Sequence, residues 1–326
     1  MTLPPTREAA VDIQQVSKRY GDHVAVRDLT LRVPVGTVYG LLGPNGAGKS
    51  TTIRMMLNII APDRGTITVL GGSAKSGKVL DRVGYLPEER GLYRKMKVRA
   101  VLRFLAALKN VPRRDADRRI DEWLERLSLR GAGKDWGEAN VEDLSRGMQQ
   151  KVQFIATLLH DPDLVILDEP FSGLDPINAQ ALKDTVIDLK RRAKTIIFST
   201  HMMDNAERMC DAVCIIARGE KVLDGPVSEI RSGHGEGHVA VALADGQARR
   251  AAGVFADPAL VRRVDDQNRF FEVELAPGAS AQLLLERLVA AGAQIRRFEL
   301  VQPSLHQIFL EKVGAAGVEE GMSGHG

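Results

Sequence analysis

The sequence predicts an α/β domain followed by a smaller α+β domain. In the first part of the chain, short apolar runs alternate with stretches whose apolar residues recur at helical spacing. That pattern is typical of parallel strands joined by helices. A Gly-rich polar segment over 231–237 interrupts it, and 326 residues are sufficient for two domains. We therefore expect a doubly wound core over 11–233, a linker over 234–238 and an accessory α+β domain over 239–313.

The elements of the first domain follow from its apolar runs and the turn residues between them. The run 38–42 leads directly into a Gly-rich loop, which predicts a strand, a turn and then a helix that ends before Pro62. The run 164–167 ends in two acids, as expected of a buried parallel strand. Predicted strands cover 11–20, 38–42, 66–70, 164–167, 195–199 and 213–217, and predicted helices cover the stretch from 51 to about 60, 98–110, about 120–127 and about 202–209.

The accessory domain has its own alternation of strands and helices. Asp265 to Asn268 supplies turn residues between two strands, and Leu305, Ile308 and Phe309 form one apolar stripe on the last helix. Predicted strands cover 239–244, 260–265, 269–275 and 294–301, and predicted helices cover 247–253, 280–291 and the stretch from 303. The tail over 314–326 is Gly-rich, and we expect it to be disordered.

Composition excludes several classes of protein. With 44% apolar and 27% charged residues the chain is ordinary for a globular protein, so global disorder is excluded. No apolar run approaches the roughly 18–20 residues that cross a bilayer. Two cysteines exclude a disulfide scaffold. Aromatic residues make up only 5% and no RNA-binding motif is present, so we expect no nucleic-acid partner.

The strongest motif is GPNGAGKST at 43–51, between a predicted strand and a predicted helix. Glycines let backbone N–H groups surround a phosphate, and the helix start adds the positive end of its dipole. Lys49 should contact the β- and γ-phosphates, and the Ser50 hydroxyl should bind Mg²⁺. The predicted nucleotide-binding residues of this loop are Gly43, Asn45, Gly46, Gly48, Lys49, Ser50 and Thr51.

A second motif, LVILDEP, occupies 164–170. Asp168 at the end of a buried strand is suited to hold Mg²⁺ opposite the phosphate loop. Glu169 beside it is suited to polarise an attacking water as a general base. The two motifs together predict a metal-and-base site for phosphoryl chemistry.

Between these motifs lies LSRGMQQ at 144–150. With Tyr20, SGLD at 172–175 and the Ser-Thr-His triplet that ends at His201, the motifs of residues 11–233 resemble the nucleotide-binding subunits of ATP-binding cassette (ABC) transporters. The resemblance implies a P-loop NTPase core with a helical subdomain at about 90–160. It also implies ATP and Mg²⁺ as cofactors.

The resemblance assigns roles to several residues. Tyr20 matches the aromatic residue that stacks on adenine, and His201 matches the histidine that contacts the γ-phosphate. Ser145 and Gly147 match residues that bind the γ-phosphate held by the other subunit, and Asp175 matches a loop that crosses the dimer interface. The predicted catalytic residues are Glu169, His201 and Lys49.

The sequence departs from the family pattern in two places. Gly84-Tyr85-Leu86-Pro87 is followed by Glu88 where the family usually has Gln. A carboxylate also ligates Mg²⁺, so Glu88 joins Ser50 and Asp168 as a candidate metal ligand. Arg146 and Met148 replace the commonest residues of the signature motif. GYLPEERGLY with an extra C-terminal domain resembles a subgroup of ABC-2 type exporter ATPases, some linked to sodium extrusion.

Charge is concentrated in one segment. Residues 90–134 carry fourteen basic and five acidic side chains, whereas the whole chain has a net charge of +3. Such a segment is usually a solvated helix face. Our hypothesis is that part of it, including Arg94, Lys95, Lys97 and Arg99, faces a membrane partner or anionic headgroups.

The predicted function is that of an ATP-hydrolysing subunit that powers export through a separate transmembrane permease. We expect two such subunits, identical or paired, to close head to tail on ATP at the cytoplasmic face of the membrane. Hydrolysis then reopens them. Two alternatives remain at this point: a soluble ATPase of the same type in translation or repair, and a nucleotide-gated binding module without transport.

Overall fold

The computed structural model describes residues 8–313 except 76, 90, 132, 234–236, 245 and 267. Its contacts form two compact units, one extending to Pro226 and one spanning Val227–Lys312. The predicted tail over 314–326 lies outside the described residues, as do three residues of the predicted linker. His238, also assigned to that linker from the sequence, is the first residue of a strand.

The first unit contains twelve described strands and seven described α-helices. The strands are β1 (Ala9–Tyr20), β2 (His23–Pro34), β3 (Val38–Leu42), β4 (Arg64–Val69), β5 (Gly72–Ser73), β6 (Val83–Leu86), β7 (Arg130–Gly131), β8 (Lys134–Asp135), β9 (Leu164–Asp168), β10 (Thr195–Thr200), β11 (Ala212–Ala217) and β12 (Glu220–Pro226). The helices are α1 (Lys49–Met56), α2 (Gly77–Leu80), α3 (Val98–Leu108), α4 (Arg113–Arg126), α5 (Arg146–Leu158), α6 (Pro176–Arg191) and α7 (Met203–Met209), with 3₁₀ turns at Trp136–Glu138 and Val141–Asp143.

Five parallel strands form the centre of this unit. The sheet order is β12-β11-β3-β10-β9-β6, with β12 antiparallel at one edge. All residues of β3, β9 and β10 are buried, which explains their nearly continuous apolar sequences. Register aligns the carboxyl ends of the strands, because Thr200 pairs with Leu42 and Ser199 pairs with Asp168. Loops that follow these strands therefore emerge at one edge.

A second, antiparallel sheet has the order β2-β1-β4-β5. Its strand β2 was not predicted from the sequence, although Leu29, Leu31 and Val33 are buried and alternate with polar residues. Residues of both sheets share one core, for example Leu31 and Ile166. This sheet carries Tyr20 at the end of β1.

Ion pairs neutralise part of the basic segment in the helical region. Arg99 on α3 is only 13% exposed and pairs with Asp121 at 2.7 Å and Asp135 at 3.0 Å, while Arg103 pairs with Asp117. Arg99 therefore does not present its charge to a partner, contrary to the hypothesis from the sequence. Lys97 pairs with Glu138 at 3.2 Å, but its side chain is 60% exposed. No ion pair involves Arg94 or Lys95 among the described residues, so the hypothesis now rests on Arg94, Lys95 and Lys97.

The second unit is a four-stranded antiparallel sheet with helices. Its strands β13 (His238–Leu243), β14 (Val261–Asp266), β15 (Phe271–Leu275) and β16 (Ile295–Leu300) are ordered β14-β15-β13-β16. Its helices are α8 (Val227–Gly233), α9 (Ala248–Phe255), α10 (Ala281–Ala290) and α11 (Leu305–Val313). Val239, Val241 and Val273 pack with Leu284 and Leu288 of α10 in one apolar core. The strand and helix order matches the α+β prediction, with α8 in addition.

Candidate nucleotide-binding and catalytic site

A cleft of about 400 Å³ lies where the loops after the parallel strands emerge. Its position follows from the register of β3, β9 and β10, because ligands of parallel α/β sheets bind beyond the carboxyl ends of the strands. Twelve residues line it: Tyr20, His23, Ala25, Asn45, Gly46, Ala47, Gly48, Lys49, Ser50, Thr51, Glu88 and Glu169.

The loop between β3 and α1 depends on two glycines. Gly43 has φ 147°, and a Cβ there would lie 2.0 Å from the carbonyl oxygen of Ile216. Gly48 has φ 105°, and a Cβ there would lie 2.4 Å from the carbonyl oxygen of Ala25. Both positions therefore require glycine. Gly48 is also the N-cap of α1 and supplies no side-chain cap, so the first amides of that helix are available to an anion.

Lys49 is a buried cation at the base of this cleft. Its Nζ donates to the carbonyl oxygens of Gly43 at 2.8 Å and Pro44 at 3.0 Å, and lies 3.7 Å from Oε1 of Glu169. Burial lowers the pKa of Lys49, although the charges of Glu169 and Asp168 oppose that shift. The carbonyl contacts hold the ammonium group against the loop, and both Lys49 and Glu169 line the cleft.

Asp168 and Ser50 meet although they lie on different elements. Ser50 Oγ donates to Oδ1 of Asp168 at 3.2 Å, and the Ser199 hydroxyl donates to the same carboxylate oxygen. Ser199 Oγ in turn accepts from the backbone N–H of Glu169 at 3.0 Å. Ser199 thus holds the Asp168 carboxylate and the Glu169 backbone amide, a role the sequence did not reveal because only the register of β9 and β10 makes it adjacent.

Glu169 and His201 are brought together at the ends of β9 and β10. Oε1 of Glu169 accepts from the backbone N–H of His201 at 3.1 Å and lies 3.0 Å from its Nδ1. The Glu169 side chain is 9% exposed, whereas that of His201 is 45% exposed. Glu169 also has φ 47°, a left-handed conformation that costs a residue with a Cβ roughly 1–2 kcal/mol. Such strain at a cleft is typical of functional residues.

Other residues predicted from the sequence also reach the cleft. Tyr20 lines it with 49% of its surface exposed, and Lys18 Nζ lies 5.6 Å from its ring centroid. Asn45 and Glu88 line it as well. His23 lines the cleft beside Tyr20 but was not singled out, because β2 was not recognised as a strand.

Six predicted residues are not among the described residues that line the cleft. Gly43, Asp168 and His201 contact the lining residues Lys49, Ser50 and Glu169, respectively. The other three are Ser145, Gly147 and Asp175. Ser145 is the N-cap of α5 and accepts from the backbone N–H of Met148 at 3.3 Å. A Cβ on Gly147 would lie 2.8 Å from Nδ2 of Asn178. Asp175 is the N-cap of α6, and hydrogen bonds from the backbone N–H and the side chain of Asn178 lower its carboxyl pKa. Within a single chain, the contacts of Ser145, Gly147 and Asp175 cap helices or pack them together.

The donor set beside the phosphate loop fits a magnesium ion. The Ser50 hydroxyl and the Asp168 carboxylate are 3.2 Å apart, and the Glu88 carboxylate lines the same cleft. All three supply the hard oxygen atoms that Mg²⁺ prefers, together with phosphate oxygens.

Comparison with known proteins agrees with this geometry. A family model described as ABC transporter matches residues 26–172, and a model described as the C-terminal domain of ATP-binding protein DrrA1-3-like matches residues 225–313. The uncharacterized ABC transporter ATP-binding protein YhaQ of Bacillus subtilis is 40% identical over 318 residues, which cover 93% of this chain and 98% of YhaQ. The Nod factor export ATP-binding protein I of Burkholderia orbicola is 37% identical over 219 residues, 67% of this chain and 71% of that protein.

Solved structures show the same fold. The ATP-binding subunit of an ABC transporter superposes with a TM-score of 0.63 at 31% identity, covering 69% of this chain and 92% of that structure. CbiO1 of Clostridium perfringens, part of the CbiONQ complex, gives 0.60 at 24% identity, with the same two coverages. The chain therefore belongs to the ATP-binding subunits of ABC transporters, a family of ATP hydrolases.

Proposed function

We propose that Glu169 is the general base of ATP hydrolysis in this chain. The observation that carries the proposal is that a buried carboxylate lies 3.7 Å from Lys49 Nζ and 3.0 Å from His201 Nδ1 at the edge of the phosphate-loop cleft. A carboxylate fixed there is suited to accept a proton from an attacking water. Lys49 compensates charge that develops on the transferred phosphoryl group, and His201 orients the carboxylate.

Mg²⁺ is proposed as the metal of this site, with Ser50 and Asp168 as its protein ligands and Glu88 as a further candidate. When bound, the ion would neutralise charge on the phosphate oxygens. Asp168 is fixed for that task by Ser199, so the carboxylate does not have to reorganise. Tyr20 is proposed to stack on the adenine ring.

We further propose that two copies close head to tail on ATP. Ser145, Gly147 and Asp175 support this, because they match family interface residues yet do not line the cleft of their own chain. Ser145 and Asp175 are exposed, and Ile177 beside Asp175 is an apolar side chain with 82% exposure. An exposed apolar residue next to a helix N-cap is suited to a protein contact.

The permease is proposed to dock on a second, mostly apolar cleft of about 430 Å³. Exposed Ile59 and Leu108 line it, together with Pro87 and Leu92. The loop that contains Pro87 and Leu92 also carries Glu88, which lines the nucleotide cleft. One loop therefore reaches both clefts and is suited to couple nucleotide state to the membrane partner. Among the described residues, no helix combines the length and apolarity needed to span a bilayer.

Export is the proposed direction of transport, supported by the Nod factor export relative. The alternative of a nucleotide-gated module without hydrolysis is disfavoured by the intact Lys49, Asp168 and Glu169 cluster. The alternative of a soluble ATPase in translation or repair is disfavoured by the apolar cleft, which suits a membrane-subunit helix. The cytoplasmic face of the membrane is the proposed location.

The test is Glu169→Gln, with Glu89→Gln as the matched control on an exposed position. We expect Glu169→Gln to lower phosphate release by at least about 100-fold while nucleotide binding is retained, and the ATP-bound variant to elute as a dimer. Glu89→Gln should match the unmodified chain. If Glu169→Gln hydrolyses ATP at the rate of the unmodified chain, Glu169 is not the general base.

A further inference from the structure

The second unit contains a polar cluster on the sheet face opposite its apolar core. Along β13, Val239 and Val241 enter the core, so His238 projects from the other face. Along β15, Val273 and Leu275 enter the core, and Glu274 projects from the other face. The register pairs His238 directly with Glu274, which places the two side chains side by side.

Helix α11 adds a third group to this pair. Glu311 lies on its last turn, and one ligand atom from each of His238, Glu274 and Glu311 lies within 4.8 Å of the others. A cavity of about 10 Å³ lies among these side chains, enough for one water-sized sphere. The three groups therefore converge on a space of ionic size from two strands and one helix.

One ring nitrogen of His238 lacks a hydrogen-bond partner. It is only 5% exposed, and its Nδ1 is buried with no hydrogen-bond partner among the described residues. Buried ring nitrogens in proteins are almost always hydrogen-bonded or bound to a metal. A cation bound through Nδ1, one of the two ring nitrogens that His238 can offer, would supply the missing partner.

The surrounding charge favours a cation over an anion. Two further carboxylates, Glu272 and Asp265, line the cavity. Arg263 lines it too, but its Nη2 is 3.1 Å from Oδ1 of Asp265, which takes up its charge. Arg262 pairs with Oε1 of Glu274 at 2.7 Å, but its side chain is 64% exposed, so solvent screens it. Carboxylates thus outnumber guanidinium groups around the cavity.

We propose that His238, Glu274 and Glu311 form a binding site for a divalent transition-metal ion of the zinc class. One imidazole nitrogen with two carboxylates is a ligand set that such ions accept, whereas Mg²⁺ and Ca²⁺ prefer oxygen ligands alone. Three protein ligands leave a fourth position for water. The ion would fasten α11 to β13 and β15, independently of the nucleotide site.

The experiment is a zinc titration of the full chain, stripped of metal and free of nucleotide, by calorimetry. We expect a site that Glu311→Gln weakens by at least about tenfold and that His238→Asn removes. His306→Asn, which changes an exposed histidine of the same helix, is the matched control and should keep the site. His201→Asn should keep it too, which separates it from zinc bound at the nucleotide cleft.

Folding and metal class are checked in the same samples. An unchanged thermal-unfolding profile of the metal-free chain shows that both units of the His238 and Glu311 variants are folded. Replacement of zinc by Co²⁺ should give the visible absorption of a nitrogen- and oxygen-ligated ion, and His238→Asn should abolish it. The proposal is overturned if the chain binds no zinc at this site, if both variants bind zinc like the unmodified chain, or if Mg²⁺ competes equally with Zn²⁺.

Discussion

Two histidine–glutamate pairs in this chain differ in what surrounds them. Glu169 and His201 lie beside the buried ammonium group of Lys49 and a Gly-rich loop rich in N–H donors. His238 and Glu274 lie among further carboxylates, and no lysine is among the described residues that line their cavity. The same two residue types therefore suit opposite ligands. Neighbouring charge, rather than the pair itself, decides whether the site attracts phosphate or a metal ion.

The two pairs also arise from different backbone geometry. The first is built at the end of parallel strands, where loops leave the sheet and a large ligand has access. The second is built on the face of an antiparallel sheet, where a direct cross-strand register brings His238 against Glu274. The loops at the ends of parallel strands leave room for a nucleotide, whereas a sheet face covered by a helix leaves room for little more than an ion.

The largest effect should come from removing the lysine that lies beside the first pair. Lys49→Met eliminates the charge that balances Glu169, so we expect phosphate release to fall by about 100-fold or more. Without the lysine, the metal-stripped chain should bind Zn²⁺ more tightly at this site, because Asp168 and Glu169 lose their counter-charge. Lys109→Met is the control, since burial lowers the pKa of Lys109 as it does that of Lys49. An active Lys49→Met chain would break the comparison.

A smaller effect should follow from loosening the acids of the first site without changing their charge. Ser199→Ala removes the hydroxyl that holds Asp168 and the Glu169 amide. We expect turnover to fall by roughly tenfold and the Mg²⁺ concentration needed for half-maximal turnover to rise. Thr195→Val, at the other end of β10, is the control. An unchanged Mg²⁺ dependence would mean that Ser199 does not position Asp168.

The smallest effect should come from the second pair, and it depends on the proposed metal site. Arg262→Gln removes the guanidinium group that competes for Glu274. Because the arginine side chain of that ion pair is 64% exposed and screened by solvent, zinc affinity measured by calorimetry should rise only about threefold. Arg249→Gln, an exposed change on α9, should leave the affinity unaltered. Weaker zinc binding in Arg262→Gln would show that the arginine supports the site instead of competing for it.

Several parts of the fold could be predicted from local pattern. The continuous apolar run of β3 and the Gly-rich loop after it predict a strand, a turn and a helix, which the structure confirms. Strand β2 was not recognised, because its alternation is long and carries several charged residues. Arg99 was assigned to an outward face, because helical spacing does not reveal that Asp121 and Asp135 approach it from other elements.

The sequence by itself determined the ATPase core, since a phosphate loop needs glycines and a lysine at fixed spacing, and that spacing is local. It also determined which acids follow a buried strand. Only the tertiary structure decided that Ser199 holds the Asp168 carboxylate and the Glu169 backbone amide, and that His238, Glu274 and Glu311 converge. These contacts depend on strand register and on helix placement, which join residues far apart along the chain. No local periodicity encodes such distances, because they are fixed by the packing of whole elements.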